Sequence, residues 1–110
     1  MKGAGWAVVG MLVVGVAGHA QAQQPVSGAQ VYAGQCASCH GARGTPSPGM
    51  KHAMAALPDF ATASAASLPD SLIREVILKG KGRLMPAYAS RLKPEEVAAL
   101  VAYVRSLGGH

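Results

Sequence analysis

Residues 36–40 read Cys36-Ala37-Ser38-Cys39-His40, and they hold both cysteines of the chain. Two thiols three positions apart fall on one side of a helical turn, so both can reach one flat group lying against that side. A histidine directly after the second thiol can then project its imidazole at the centre of the same group. These are the demands of c-type haem: two thioether links to the vinyl groups and an axial imidazole on the iron. Any fold for this chain is therefore expected to form around one porphyrin tethered at Cys36 and Cys39, with His40 as the proximal iron ligand. A dithiol redox pair would ask for a strand–helix setting and would give the histidine no task. Structural zinc needs four ligands, and here only His40 and a distant His52 could join the two cysteines.

The start of the chain supplies a second, independent constraint. Lys2 is followed by an apolar run from Ala4 to Gly18 and then by Ala20-Gln21-Ala22, a small-x-small cleavage pattern. Residues 1–22 read as a secretory signal peptide and residues 23–110 as one domain. A membrane span needs about 20 apolar residues. This run is shorter and is interrupted by Gly5, Gly10 and Gly15, so cleavage is favoured over retention as an anchor. No stable membrane insertion is expected after cleavage, and the destination is the periplasm. Export agrees with the first motif, since haem is attached to such chains outside the cytoplasm.

A domain of that size has a small core of its own and gains from a staple. Both cysteines are used by the motif, so the staple is the cofactor rather than a disulfide. The chain carries 10 Lys and Arg against five Asp and Glu, and only Lys2 leaves with the leader. Two haem propionates offset part of the excess. The product is mildly cationic, and without interleaved basic and aromatic residues it is not a nucleic-acid binder.

Three helices are expected. The first starts at Ser27, a good N-cap, and steps through Gly28, Tyr32 and Cys36 along one face. The second runs from about Pro69 to Lys79, with Leu72, Ile73, Val76 and Ile77 at amphipathic spacing and Gly80 as its stop. The third begins at Pro94, has Glu95 and Glu96 in its first turn, buries Val97, Leu100, Val101, Val104 and Leu107, and stops at Gly108. The stretch from Gly41 to Ser67 reads mostly as loop, and a loop that long needs a surface such as a haem edge to pack on. Met50, Met54, Leu57 and Phe60 are available to line it, or to serve as ordinary core.

Between the second and third helices, Gly80-Lys81-Gly82-Arg83-Leu84-Met85-Pro86-Ala87-Tyr88 is irregular and presents a methionine just before proline. Met85 is the expected distal iron ligand, with Met50 and Met54 as runners-up. A neutral thioether favours ferrous iron and raises the reduction potential relative to two nitrogen ligands, which suits an electron carrier. His52 and His110 have no supporting frame for a bis-histidine site. No histidine, arginine or acid is placed to act on iron-bound oxygen, so the chain reads as a carrier and not an enzyme.

Three motifs together resemble a small bacterial monohaem class I c-type cytochrome over essentially the whole of residues 23–110. They are Cys36 to His40, the loop from Gly80-Lys81-Gly82 to Met85-Pro86-Ala87-Tyr88, and the closing Pro94 to Val104 helix. The resemblance implies an all-α class I cytochrome c fold, three main helices and loops wrapped around one covalently bound haem c. It also implies that the first and last helices cross near the haem, at Gly28 and Tyr32 on one and Leu100 and Tyr103 on the other. A proline carbonyl after the motif would accept a hydrogen bond from the proximal imidazole; Pro48 is the choice and Pro46 the alternative. The chain departs from the usual pattern at an extra Leu84, at Lys93 where a capping serine is common, and in a short Arg43 to Pro48 loop.

The expected function is periplasmic one-electron transfer on a His/Met haem by a monomer; the alternative is a haem-bearing subunit of a dehydrogenase or oxidase complex. Lys51, Lys79, Lys81 and Arg83 flank the loops expected beside the haem and would steer redox partners with acidic docking patches. The alternative is that these cations form a solvated basic face, with one or two of them paired to propionates.

Overall fold

The computed structural model describes residues 3–15, 18 and 26–108. Residues 3–15 have no regular structure, and Trp6, Val8, Val9, Met11, Leu12, Val13 and Val14 are all exposed. No helix among the described residues is long and apolar enough to cross a membrane. The expected cleavage site and His110 lie outside the described residues.

Among the described residues six helices follow: α1 (Gly28–Gln35), α2 (Ala37–His40), α3 (Pro48–Ala53), α4 (Ala63–Ala66), α5 (Asp70–Lys79) and α6 (Pro94–Leu107). The three long ones are α1, α5 and α6, as the spacing of apolar residues predicts. Each starts for a local reason. Ser27 is extended, and its hydroxyl accepts the Gln30 amide at 3.2 Å, satisfying one of the amides that a helix start leaves free. Pro69 and Asp70 open α5, and Gly80 closes it. At α6 the cap residue is Lys93, whose ammonium cannot accept a bond; instead its amide donates to the Glu96 carboxylate at 3.0 Å. Glu96 thus supplies the reverse half of a capping box where serine is missing.

The core lies where α1 and α5 pack on α6. Tyr32, Ile73, Ile77, Tyr88, Val97, Leu100, Val101 and Val104 are buried, while Leu72 on the outer side of α5 is exposed. Tyr32, Leu100 and Val97 are the largest fully buried side chains, each worth about 1.5–3 kcal/mol of burial. The crossing of α1 over α6 depends on Gly28. A Cβ there would lie 2.9 Å from Tyr103 Cβ and closer still to the Ala99 carbonyl, so only glycine lets the two backbones meet. One turn on, the Tyr32 and Tyr103 rings pack at 5.1 Å between centroids, tilted by 56°. Arg105 fixes the far end of α6 to the start of α5 through Asp70 at 3.0 Å.

One expectation changes in detail and a second gains detail. The first helix does not run unbroken into the motif: α1 ends at Gln35, Cys36 sits at φ −122°, and a new turn, α2, carries the rest. The long Gly41 to Ser67 segment is mostly loop, as expected, but it carries two short helices. Ser47 and Thr62 cap the short helices α3 and α4 with side-chain bonds to Met50 and Ala65 amides, which gives the segment backbone partners of its own.

Candidate haem site

Cys36 joins two helical turns. Its amide donates to the Tyr32 carbonyl at 2.9 Å, and its own carbonyl accepts from His40 at 3.0 Å and Cys39 at 3.3 Å. Cys36, Cys39 and His40 therefore share one turn, and all three are half-buried. Two phenols brace this turn from opposite ends. The Tyr32 hydroxyl donates to the Gly41 carbonyl at 2.6 Å, just after His40. The Tyr88 hydroxyl donates to the Gln35 carbonyl at 3.1 Å, just before Cys36. Burial first, with the neighbouring Cys36 and Tyr103 adding, pushes the Tyr32 phenol up to about 12; it stays a hydrogen-bond donor.

The thiols are free, and the surroundings of Cys36 disfavour its thiolate. Burial, then the nearby Cys39, pushes Cys36 up to about 11. A dithiol redox pair or a zinc ligand needs the opposite shift. Among the described residues no three His, Cys, Asp or Glu side chains are gathered to hold a metal. His40 is arranged differently: burial lowers its pKa, which keeps the imidazole neutral and able to donate a lone pair to iron. Its ring stacks on Phe60 at 4.8 Å between centroids and 19° between planes. Its Nδ1 is buried without any hydrogen-bond partner, the one such side-chain atom among the described residues. A buried polar atom left open in this way, on a neutral imidazole next to two thiols, fits a chain that is completed by a haem.

Met85 lies on a hairpin. Lys81 and Met85 exchange backbone bonds, 3.0 Å from the Lys81 amide and 3.3 Å from the Met85 amide. Gly80 turns the chain into it at φ 73°, and a Cβ there would meet Ala87 N and Pro86 C at 2.9 Å, so the turn requires glycine. Beyond the hairpin, the Tyr88 amide donates to the Ile77 carbonyl at 3.0 Å, Tyr88 reaches Gln35, and the Arg91 guanidinium lies 5.6 Å from the Tyr88 ring. Met85 itself is half-buried and stands outside the group of partly buried residues packed on the core.

Pro48 is placed less well than the sequence suggests. It is the exposed first residue of α3, whereas Pro46 is buried, and neither accepts a bond from His40. The residue that does reach the imidazole is Phe60. Phe60 is anchored by its amide on the Gly44 carbonyl at 2.9 Å, and Asp59 by the Thr45 hydroxyl at 2.9 Å. Sequence reasoning offered Phe60 only as a general lining residue, and no local spacing marks its pairing with His40. Met50 and Met54 are half-buried around α3.

An all-α domain with a thiol pair and a buried, open imidazole on one braced turn is a c-type haem protein. The chain belongs to the family described as "Cytochrome C oxidase, cbb3-type, subunit III", whose model matches residues 23–104. Among relatives, it is 34% identical over 84 residues to the "Cbb3-type cytochrome c oxidase subunit FixP" of Azorhizobium caulinodans, covering 74% of this chain and 27% of that one. It is 39% identical over 95 residues to "Cytochrome c6, chloroplastic" of Chlamydomonas reinhardtii, covering 86% and 61%. The chain spans less than a third of the length of the FixP relatives it matches. The solved structure of "KustC0563 c-type cytochrome" superposes with a TM-score of 0.67 at 32% identity, over 74% of this chain and 98% of that one. The fold is that of class I cytochrome c, and the cofactor is haem c held through Cys36 and Cys39.

Proposed function

We propose that this chain is an exported, monomeric one-electron carrier whose iron is held by His40 and Met85. The observation that carries the reading is the His40 ring: neutral, stacked on Phe60 and open at Nδ1. Bound haem would supply a one-electron iron couple. The chain's own contribution is rigidity. The Tyr32 and Tyr88 hydroxyls hold the carbonyls on either side of the motif, Phe60 fixes the imidazole plane, and the Lys81–Met85 bridge fixes the loop that presents the thioether. Ligands held in this way need not move when the charge on the metal changes.

Residues 1–22 act as the export signal and are removed in the periplasm. The support is the run of exposed apolar side chains from Trp6 to Val14, which packs on nothing described. Partners are redox proteins met through acidic patches. A second reading, a haem-bearing subunit of an oxidase complex, is favoured by the FixP names among the relatives. Gel filtration of native extract separates the two, because a carrier elutes alone and a subunit with its enzyme.

The ligand assignment is tested by the visible spectrum of the ferric protein. Sulfur on ferric iron gives a weak long-wavelength band, expected in wild type and absent in Met85→Ala. A band that survives in Met85→Ala would return the sixth position to Met50 or Met54. Pigment released into acidified acetone would refute the thioether links, and with them the whole reading.

A further inference from the structure

The stack of Phe60 on His40 closes a ring of contacts that begins at the motif itself. Gly41, directly after His40, gives its carbonyl to the Tyr32 hydroxyl at 2.6 Å and to the Gly44 amide at 3.1 Å. Gly44 accepts the Phe60 amide at 2.9 Å, and the Phe60 ring comes back onto the imidazole. A Cβ on Gly44, which sits at φ 88°, would lie 2.9 Å from Phe60 Cβ, so only glycine lets the two segments approach this closely. One amide bond still leaves the direction of the Phe60 side chain open. That direction is settled by the residues on either side of it, and one carboxylate oxygen holds both. Asp59 Oδ1 accepts from the Thr45 hydroxyl at 2.9 Å and from the Ala61 amide at 3.0 Å. The first bond pins Asp59 to the segment after the motif, and the second closes an Asx turn around Phe60. Oδ2 faces Lys51 at 3.7 Å, an exposed pair that adds little.

We propose that Asp59 is a positioning residue for the proximal ligand: its Oδ1 clamps the turn from Asp59 to Ala61, sets the Phe60 ring flat on His40 and so fixes the plane in which the imidazole meets a bound porphyrin. The proposal rests on the reading of His40 as iron ligand with Phe60 against it, and adds the residue that holds the pair. The effect of Asp59 passes through Phe60. An axial imidazole overlaps iron d orbitals according to its plane, so a turned plane redistributes unpaired spin over the porphyrin even when both axial ligands stay bound.

The test is proton NMR of the holoprotein. In the ferric state the four haem methyl resonances spread according to the planes of the axial ligands, and in the ferrous state the upfield methyl of the axial methionine reports whether that ligand stays bound. Asp59→Ala is expected to redistribute the four methyl shifts, and Thr45→Val, which removes one donor, to move them in the same sense by less. Asp59→Asn keeps Oδ1 as an acceptor and should restore the wild-type spread. Arg105→Gln breaks the clamp between α6 and the start of α5 and should lower Tm with the spread unchanged. The methionine methyl should persist in all four variants. Wild-type shifts in both Asp59→Ala and Thr45→Val overturn the proposal. So does Asp59→Asn moving them as far as Asp59→Ala, which would assign the effect to charge, and so does Arg105→Gln moving them as far, which would make it general loosening. Loss of the methionine methyl in Asp59→Ala overturns it by placing the effect on the distal side. Should Asp59→Ala yield no holoprotein, Thr45→Val against Arg105→Gln decides in the same way. Phe60→Leu separates the two readings: shifts that move there but not in Asp59→Ala overturn the proposal alone, whereas unmoved shifts in Phe60→Leu refute the hold of Phe60 on the imidazole itself.

Discussion

The Tyr88 hydroxyl donates to the Gln35 carbonyl at 3.1 Å, tying together residues 53 positions apart. Tyr88 lies three residues after Met85, and Gln35 directly precedes Cys36, so this bond links the hairpin that carries Met85 to the Cys36–His40 turn. Tyr88→Phe keeps the buried ring and its contact with Arg91 but loses the bond. The expected loss is about 1 kcal/mol, or roughly 4–8 °C in Tm for a domain of this size, read by circular dichroism. An unchanged melting curve would show that the bond carries no stability.

Gly28 and Gly34 lie on the same helix and should respond in opposite directions to the same substitution. Gly28→Ala drives a methyl into the Ala99 carbonyl and Tyr103, and overpacking of this kind costs about 1–3 kcal/mol. Nothing lies within 4 Å of a Cβ added at Gly34, so Gly34→Ala should stabilise by up to about 1 kcal/mol through helix propensity. Denaturant titration of the two holoproteins reads the contrast.

Asp59 should shape the acid limb of stability. The Ala61 amide first, then the Thr45 hydroxyl and the Lys51 ammonium, hold its carboxyl below the ordinary value of 3.8. A group whose pKa is depressed by folding binds protons less readily in the native state. Its contribution is therefore complete above the ordinary value and disappears as pH falls through the lowered one. In Asp59→Asn, melts collected from pH 5 downward should show a shallower loss of Tm below about pH 4 than wild type. Parallel curves would remove Asp59 from the acid response.

Glu75→Gln releases Lys79 from its only carboxylate among the described residues. The pair is exposed and one helical turn apart, so stability should change by no more than about 0.5 kcal/mol. The free cation instead joins Lys81 and Arg83. Electron transfer to an acidic acceptor should become faster and more salt-sensitive, which stopped flow at two salt concentrations would show.

The long helices were legible because periodicity and punctuation agree in them: Ile73 and Ile77 fall on one face and Gly80 ends it, and Val97 to Val104 repeat the pattern after Pro94. The motif was legible because its chemistry fixes each position. What escaped were features set by tertiary contact or by very short elements. The break at Cys36 has no proline or glycine to mark it, and it arises from packing the turn against Tyr32 and Tyr88. Pro48 looked like a free loop carbonyl, yet Ser47 and Pro48 together start α3. The stacking of Phe60 on His40 joins residues 20 positions apart, which no local spacing records.

The close approach of Gly28 to Ala99 also dictates an order of events. The first helix cannot be covered until residues 94–107 dock on it, because the surface that covers it belongs to them. Until then the unfolded chain holds its two sulfurs uncovered, and docking of the last helix closes the interval in which they can be reached.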